Sequence, residues 1–78
     1  MQLSNGEAVA INGGRFAYLY EVGTGTGVTL EFKTDISDFQ EIEGFFFNAN
    51  ANGTIDIPGG ELRATLDGTG RLFINRVK

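Results

Sequence analysis

The stretch Ile55–Leu66, IDIPGGELRATL, constrains the fold more than any other part of the chain. Two alternating runs flank a Pro58-Gly59-Gly60 corner. Ile55 and Ile57 share one side before it; Leu62, Ala64 and Leu66 share one side after it. Asp56, Glu61, Arg63 and Thr65 take the opposite side. A period of two marks strands with one buried and one wet face. The spacing predicts a hairpin over Thr54–Leu66 that turns at Pro-Gly-Gly.

The same pattern recurs along the chain. Glu7–Asn12 puts Val9 and Ile11 on one face. In Arg15–Val22, Phe16, Tyr18, Tyr20 and Val22 alternate with Ala17, Leu19 and Glu21. Neither face is fully polar, which predicts a strand covered on both sides for part of its length. Val28–Thr34 alternates cleanly, a further strand starts at Phe39–Ile42, and Arg71–Val77 closes the chain. Turn signals separate these runs at Asn12-Gly13-Gly14, Gly23–Gly27, Asp35–Asp38, Asn48–Gly53 and Asp67–Gly70. Asn52-Gly53 reads as a type I′ hairpin turn. No helical periodicity competes. The expectation is an all-β fold, a small antiparallel β-sandwich or barrel-like domain of about seven strands. The expected core is Val9, Ile11, Phe16, Tyr18, Tyr20, Val28, Leu30, Phe32, Ile42, Ile55, Ile57, Leu62, Ala64, Leu66, Leu72 and Ile74.

With 78 residues there is room for one hydrophobic core, so residues 1–78 are read as a single domain, with Met1–Gly6 as an N-terminal arm. A chain this short usually needs a disulfide, a metal or a partner for stability. Cysteine and histidine are both absent, which excludes disulfides, thiolate–zinc sites and the commonest transition-metal ligand. Oligomerisation is the remaining device, unless the sandwich is tight enough alone. The net charge of −4 argues against a general nucleic-acid binder. No apolar run approaches the roughly 20 residues that span a bilayer. The N-terminus lacks the basic start and apolar centre of a secretory signal, so cytoplasmic synthesis is expected.

Chemical motifs are sparse. Gly23–Gly27, GTGTG, is followed by a strand, whereas a phosphate loop needs a helix N-terminus there. Asn48, Asn50, Asn52 and Asp56 lack the acidic density and closing glutamate of a calcium loop. Glu31, Asp35, Asp38, Glu41 and Glu43 could supply a glycosidase pair, but read better as solvated strand faces. Serine catalysis lacks its histidine base. The reading is therefore no enzyme, no catalytic or metal site and no cofactor.

Two features read as interaction signals. In Phe45-Phe46-Phe47 adjacent rings point to opposite faces, so one of them turns outward unless a bulge at Gly44 redirects them. Charge is also uneven: acids gather over Glu31–Glu43, while Arg63, Arg71, Arg76 and Lys78 gather near the C-terminus. Opposite patches suit contacts between copies, and equally suit pairing between neighbouring strands. Phe46, Arg63, Arg71 and Arg76 are the candidate interface residues.

From Val28 onward the order of elements carries a resemblance. A strand at Val28–Phe32 precedes the D-x-S-D-aromatic segment in Asp35–Ile42. A unit F-N-A-N-A-N-G…P-G-G over Phe47–Gly60 follows, akin to an F-x-A-N-G…P-G-G pattern, then R-A-x-hydrophobic-x-G-T-G in Leu62–Gly70 and a closing strand, Arg71–Val77, that ends in R-V. This order resembles short virion proteins of tailed bacteriophages, the small ones being similar to capsid decoration (cement) proteins. The resemblance implies a structural subunit on the outer surface of the head. There it contacts the major capsid protein and its own copies, as a homotrimer, and resists internal DNA pressure. The second reading is a carbohydrate- or receptor-binding β-module of a tail fibre, with Tyr18 or Tyr20 beside Asn48 and Asn50 as a sugar platform; a third is a small tail or neck assembly protein.

Overall fold

The computed structural model describes residues 1–25 and 27–77. Thr26, inside the expected Gly23–Gly27 loop, and Lys78, in the C-terminal basic group, lie outside the described residues. The strands are β1 (Gln2–Leu3), β2 (Ala8–Ile11), β3 (Gly14–Glu21), β4 (Gly27–Thr34), β5 (Ser37–Phe47), β6 (Ala51–Ile57), β7 (Gly60–Asp67) and β8 (Arg71–Arg76). They form two four-stranded antiparallel sheets, ordered β1-β8-β3-β6 and β2-β7-β4-β5. The expected sandwich is present.

The pairing is nested. First pairs with last, β1 with β8, and then β2 with β7, β3 with β6 and β4 with β5, the pairs falling alternately in the two sheets. A long antiparallel ribbon is thus folded over itself, which is the jelly-roll topology. Only the β4–β5 link, at Asp35-Ile36, is a tight hairpin within one sheet. Every other link crosses between sheets.

The nesting corrects two expectations. Pro58-Gly59 does not turn a hairpin: β6 lies in one sheet and β7 in the other, so the segment is a corner. It packs backbone to backbone on the Asn12-Gly13 corner between β2 and β3. A Cβ on Gly13 would stand 2.9 Å from the Gly59 nitrogen. Asn52-Gly53 is not a turn either. Both residues lie inside β6, opposite Leu19 and Tyr18. Gly53 is small because the Tyr18 ring lies over it, its Oη 2.9 Å from where a Cβ would be.

At the other end of the sandwich, the β3–β4 and β7–β8 links are laced together. The Thr69 N–H donates to the Thr24 carbonyl at 3.0 Å, and the Thr24 N–H donates to Thr69 Oγ1 at 2.9 Å. The β5–β6 link is held by Asn50, whose Oδ1 accepts the Val22 N–H at 2.8 Å. These threonines and asparagines act as loop fasteners.

All sixteen expected core residues are buried or packed half-buried against the buried set. Leu3 joins them unforeseen, and Phe45 and Phe47 take the inward side of the aromatic triplet, one of its two possible phases. Leu3 is there because Met1–Gly6 is built into the sandwich. Gln2 and Leu3 pair with Phe73 and Leu72, and the Met1 ammonium donates to the Ile74 carbonyl at 3.0 Å. Asn5 and Gly6 take over the β7 edge where β2 stops. Asn5 Oδ1 accepts the Leu66 N–H, and the Gly6 N–H donates to the Ala64 carbonyl, both at 2.8 Å.

Phe45 enters through a bulge. Thr29 faces Phe46 and Glu31 faces Glu41, so Leu30 alone spans the gap that Ile42, Glu43, Gly44 and Phe45 fill on β5. Gly44 supplies the positive φ, 81°. The bulge is present and Phe45 enters the core, but Phe46 still faces out, so the outward-ring reading holds and the bulge does not turn all three rings inward.

β3 is covered on one face only. A two-layer sandwich has nothing to place over its outer side, and Leu19 stays 44% exposed there. Among the described residues, no helix is long and apolar enough to cross a membrane.

Candidate interaction surface

The sandwich offers two outer faces, and the four candidate residues divide between them. Phe46 and Arg63 lie on the β2-β7-β4-β5 sheet; Arg71 and Arg76 lie on the other. They do not form one patch.

Phe46 is 59% exposed and stands opposite Thr29, itself opposite Thr65. Its ring separates two shallow depressions, one walled by Thr29, Thr65 and Asp67, the other by Glu41, Glu43 and Gly44. Arg63 is engaged within the sheet. Its guanidinium lies 3.9 Å from the Phe39 ring centre and forks onto Glu31, Nε to Oε1 at 3.2 Å and Nη2 to Oε2 at 3.3 Å. Thr65 Oγ1 donates to the same Glu31 Oε1 at 3.3 Å. A guanidinium over an aromatic ring that also forks onto a carboxylate is an arrangement lysine cannot copy. With side-chain exposures of only 34% and 18%, this pair is partly shielded from solvent. A double-mutant cycle between Arg63→Lys and Glu31→Gln is expected to give a coupling of about 1 kcal/mol in urea unfolding, the upper end for a surface pair.

Arg71 pairs with Glu21 at 2.9 Å and lies 5.7 Å from the Phe73 ring centre. Arg76 closes one end of the core. Its guanidinium sits 4.7 Å from the ring centre of buried Phe16 and donates to the Gly13 and Asn12 carbonyls at 3.0 and 2.9 Å. That arrangement fastens the β2–β3 corner. Pairing between neighbouring strands, one of the two readings of the charge asymmetry, thus accounts for Arg63 and Arg71.

A surface missed in the sequence lies on the β1-β8-β3-β6 sheet. Ala17 and Leu19 of β3 share the outer face with Phe73 of β8, and Leu19 and Phe73 are direct cross-strand neighbours. Ion pairs frame this apolar centre. Arg71–Glu21 closes one end and Arg15–Asp56, at 3.0 Å, stands toward the other, beside Thr54, Asn52 and Asn75. The hydrogen bond to Asp56, with its charge, raises the Arg15 pKa. An apolar centre inside a polar rim is the anatomy of a protein contact. The signal in the sequence was Ala17, Leu19 and Phe73 falling on the polar phase of their strands.

The sugar-platform residues are less well placed. Tyr20 is buried. Tyr18 stacks on Phe47 with ring centres 5.6 Å apart and meets Phe45 edge-on at 4.9 Å, so its ring is half-buried. Asn50 spends its carbonyl on Val22. Among the described residues, no group of three or more acidic, histidine or cysteine side chains stands close enough to hold a metal ion. No protein-family model, curated protein or solved structure matches this chain.

Proposed function

We propose that this protein is a structural subunit of a virus shell, a capsid decoration or cement protein that bridges neighbours on the outside of a phage head. One observation carries the reading. A single 78-residue domain presents an apolar contact group on each of two opposite faces, exposed Leu19 beside half-buried Phe73 on one and exposed Phe46 on the other. A bridging protein needs two such faces; a ligand-binding module needs one pocket. The jelly-roll topology supports the reading by analogy only, since viral capsid domains and lectins both use it. Partners on this reading are the major capsid protein and further copies of the chain. Weak contacts suffice, because many copies act together on a shell.

The test is co-sedimentation with expanded, undecorated tailed-phage heads. Saturable pelleting is expected for the natural sequence. Leu19→Asp and Phe46→Asp are each expected to weaken it at least about tenfold, the loss of one well-packed apolar anchor. Neither change touches the core. No pelleting at any ratio, or saturable binding to glycans in its place, would overturn the reading.

A further inference from the structure

Every open sandwich has edge strands, and an edge strand is a template for another chain unless something blunts it. Three of the four edges here are blunted. β1 spans Gln2–Leu3 only. β2 is four residues long, and Asn5 with Gly6 occupies the β7 edge beyond it. β5 is long, but it is bent by the Gly44 bulge and carries Asp38, Glu41 and Glu43, which would repel a second copy.

β6 has none of these devices. It pairs with β3 over seven consecutive residues without a register shift, from Gly14 opposite Ile57 to Tyr20 opposite Ala51. It contains no lysine, no proline and one acid, Asp56, which is paired with Arg15. The polar groups on its free side can be assigned. The Arg15 carbonyl accepts the Val77 N–H, so Arg15 faces β8 and its neighbour Phe16 faces β6. Phe16 is opposite Ile55. Ile55 and Gly53 therefore direct their backbone groups to β3, and Asn52, Thr54 and Asp56 direct theirs to the open edge, by the alternation of an antiparallel ladder.

We infer that β6 pairs antiparallel with β6 of a second copy about a two-fold axis at Thr54, joining two β1-β8-β3-β6 sheets into one. The second copy is the occupant because the edge is complementary to itself. With Thr54 opposite Thr54, all seven residues overlap. Asn52 then faces Asp56, whose second carboxylate oxygen can accept its amide N–H, and Gly53 faces Ile55. Sliding the register to place Asp56 opposite Asp56 would set like charges together. Identical antiparallel edges make an isologous contact. The product is a dimer, not the three-fold ring implied by the resemblance. The contact concerns free protein, so it stands or falls apart from head binding.

Sedimentation equilibrium of the natural sequence, Thr54→Lys and Thr54→Glu, up to about 1 mM, tests it. Thr54 is exposed, and each substitution puts two like charges face to face across the axis. The natural sequence is expected to be dimeric, each variant monomeric, and an equimolar mixture of the two variants dimeric again. Should a variant fail to fold, amide exchange of the natural sequence decides instead. The Thr54 and Asp56 amides should gain protection with protein concentration, while Gly53 and Ile55 are protected throughout. A strict monomer, a trimer, a dimer indifferent to both charges, or amides that ignore concentration would overturn the inference.

Discussion

Replacing Gly68 by alanine is expected to destabilise the domain by about 3 kcal/mol, from left-handed backbone strain plus a clash that cannot relax. Gly68 has a φ of 89°. A methyl group there would drive into the carbonyl oxygen of Thr24. That oxygen is not free to retreat, because it accepts the Thr69 N–H at 3.0 Å and ties the two crossing links together. Gly44 is the matched control. Its φ of 81° imposes the same strain, but nothing lies within 4 Å of its added methyl. Gly44→Ala should cost only about 1 kcal/mol, the strain alone. For a chain of this length total stability is on the order of 4–12 kcal/mol. Gly68→Ala should therefore shift the urea midpoint severely and Gly44→Ala mildly. Equal losses in the two variants would mean that contact between the links contributes nothing.

The contrast shows where sequence patterning stops. Alternation of apolar residues located every core strand from β2 to β8 and every core residue it named, because burial on one face of a strand is a local property. It did not distinguish a turn within a sheet from a crossing between sheets. Asn52-Gly53 has the composition of a type I′ turn, and its glycine instead makes room for Tyr18. Pro58-Gly59 has the composition of a hairpin, and it instead makes a corner that Gly13 of the β2–β3 corner packs against backbone to backbone. Which strand pairs with which is a long-range property, and a jelly roll is made almost entirely of long-range pairs. The contact surface was half legible for the same reason. Counting showed that Phe45, Phe46 and Phe47 cannot all share one face of a regular strand, and left open which ring turns out. Arg71 and Arg76 could not be assigned, since their partners Glu21, Gly13 and Asn12 are brought in from the far end of the chain. The apolar group around Leu19 was visible as a sequence pattern, yet it was read as buried. Whether a face is covered depends on the number of layers, which no strand encodes.

The N-terminal segment gives the second large effect. Leu3→Ala is expected to cost about 3 kcal/mol, within the usual range for a fully enclosed leucine. Leu3 has no solvent exposure and lies opposite Leu72, which is equally enclosed. Its anchors lie on both sides of it in the sequence. The Met1 ammonium reaches the Ile74 carbonyl and Asn75 Oδ1, at 3.0 and 2.8 Å, and Asn5 holds Leu66. A segment tied at both ends cannot swing away to let the core close over the missing methyls, so the cavity persists and the full penalty is felt. Gln2→Ala, one residue away on the exposed phase of the same strand, should change stability by less than about 0.5 kcal/mol. Urea unfolding of the two variants separates the possibilities. A loss below about 1 kcal/mol for Leu3→Ala would mean that the first residues are loosely docked and that the core is in effect built from β2 onward.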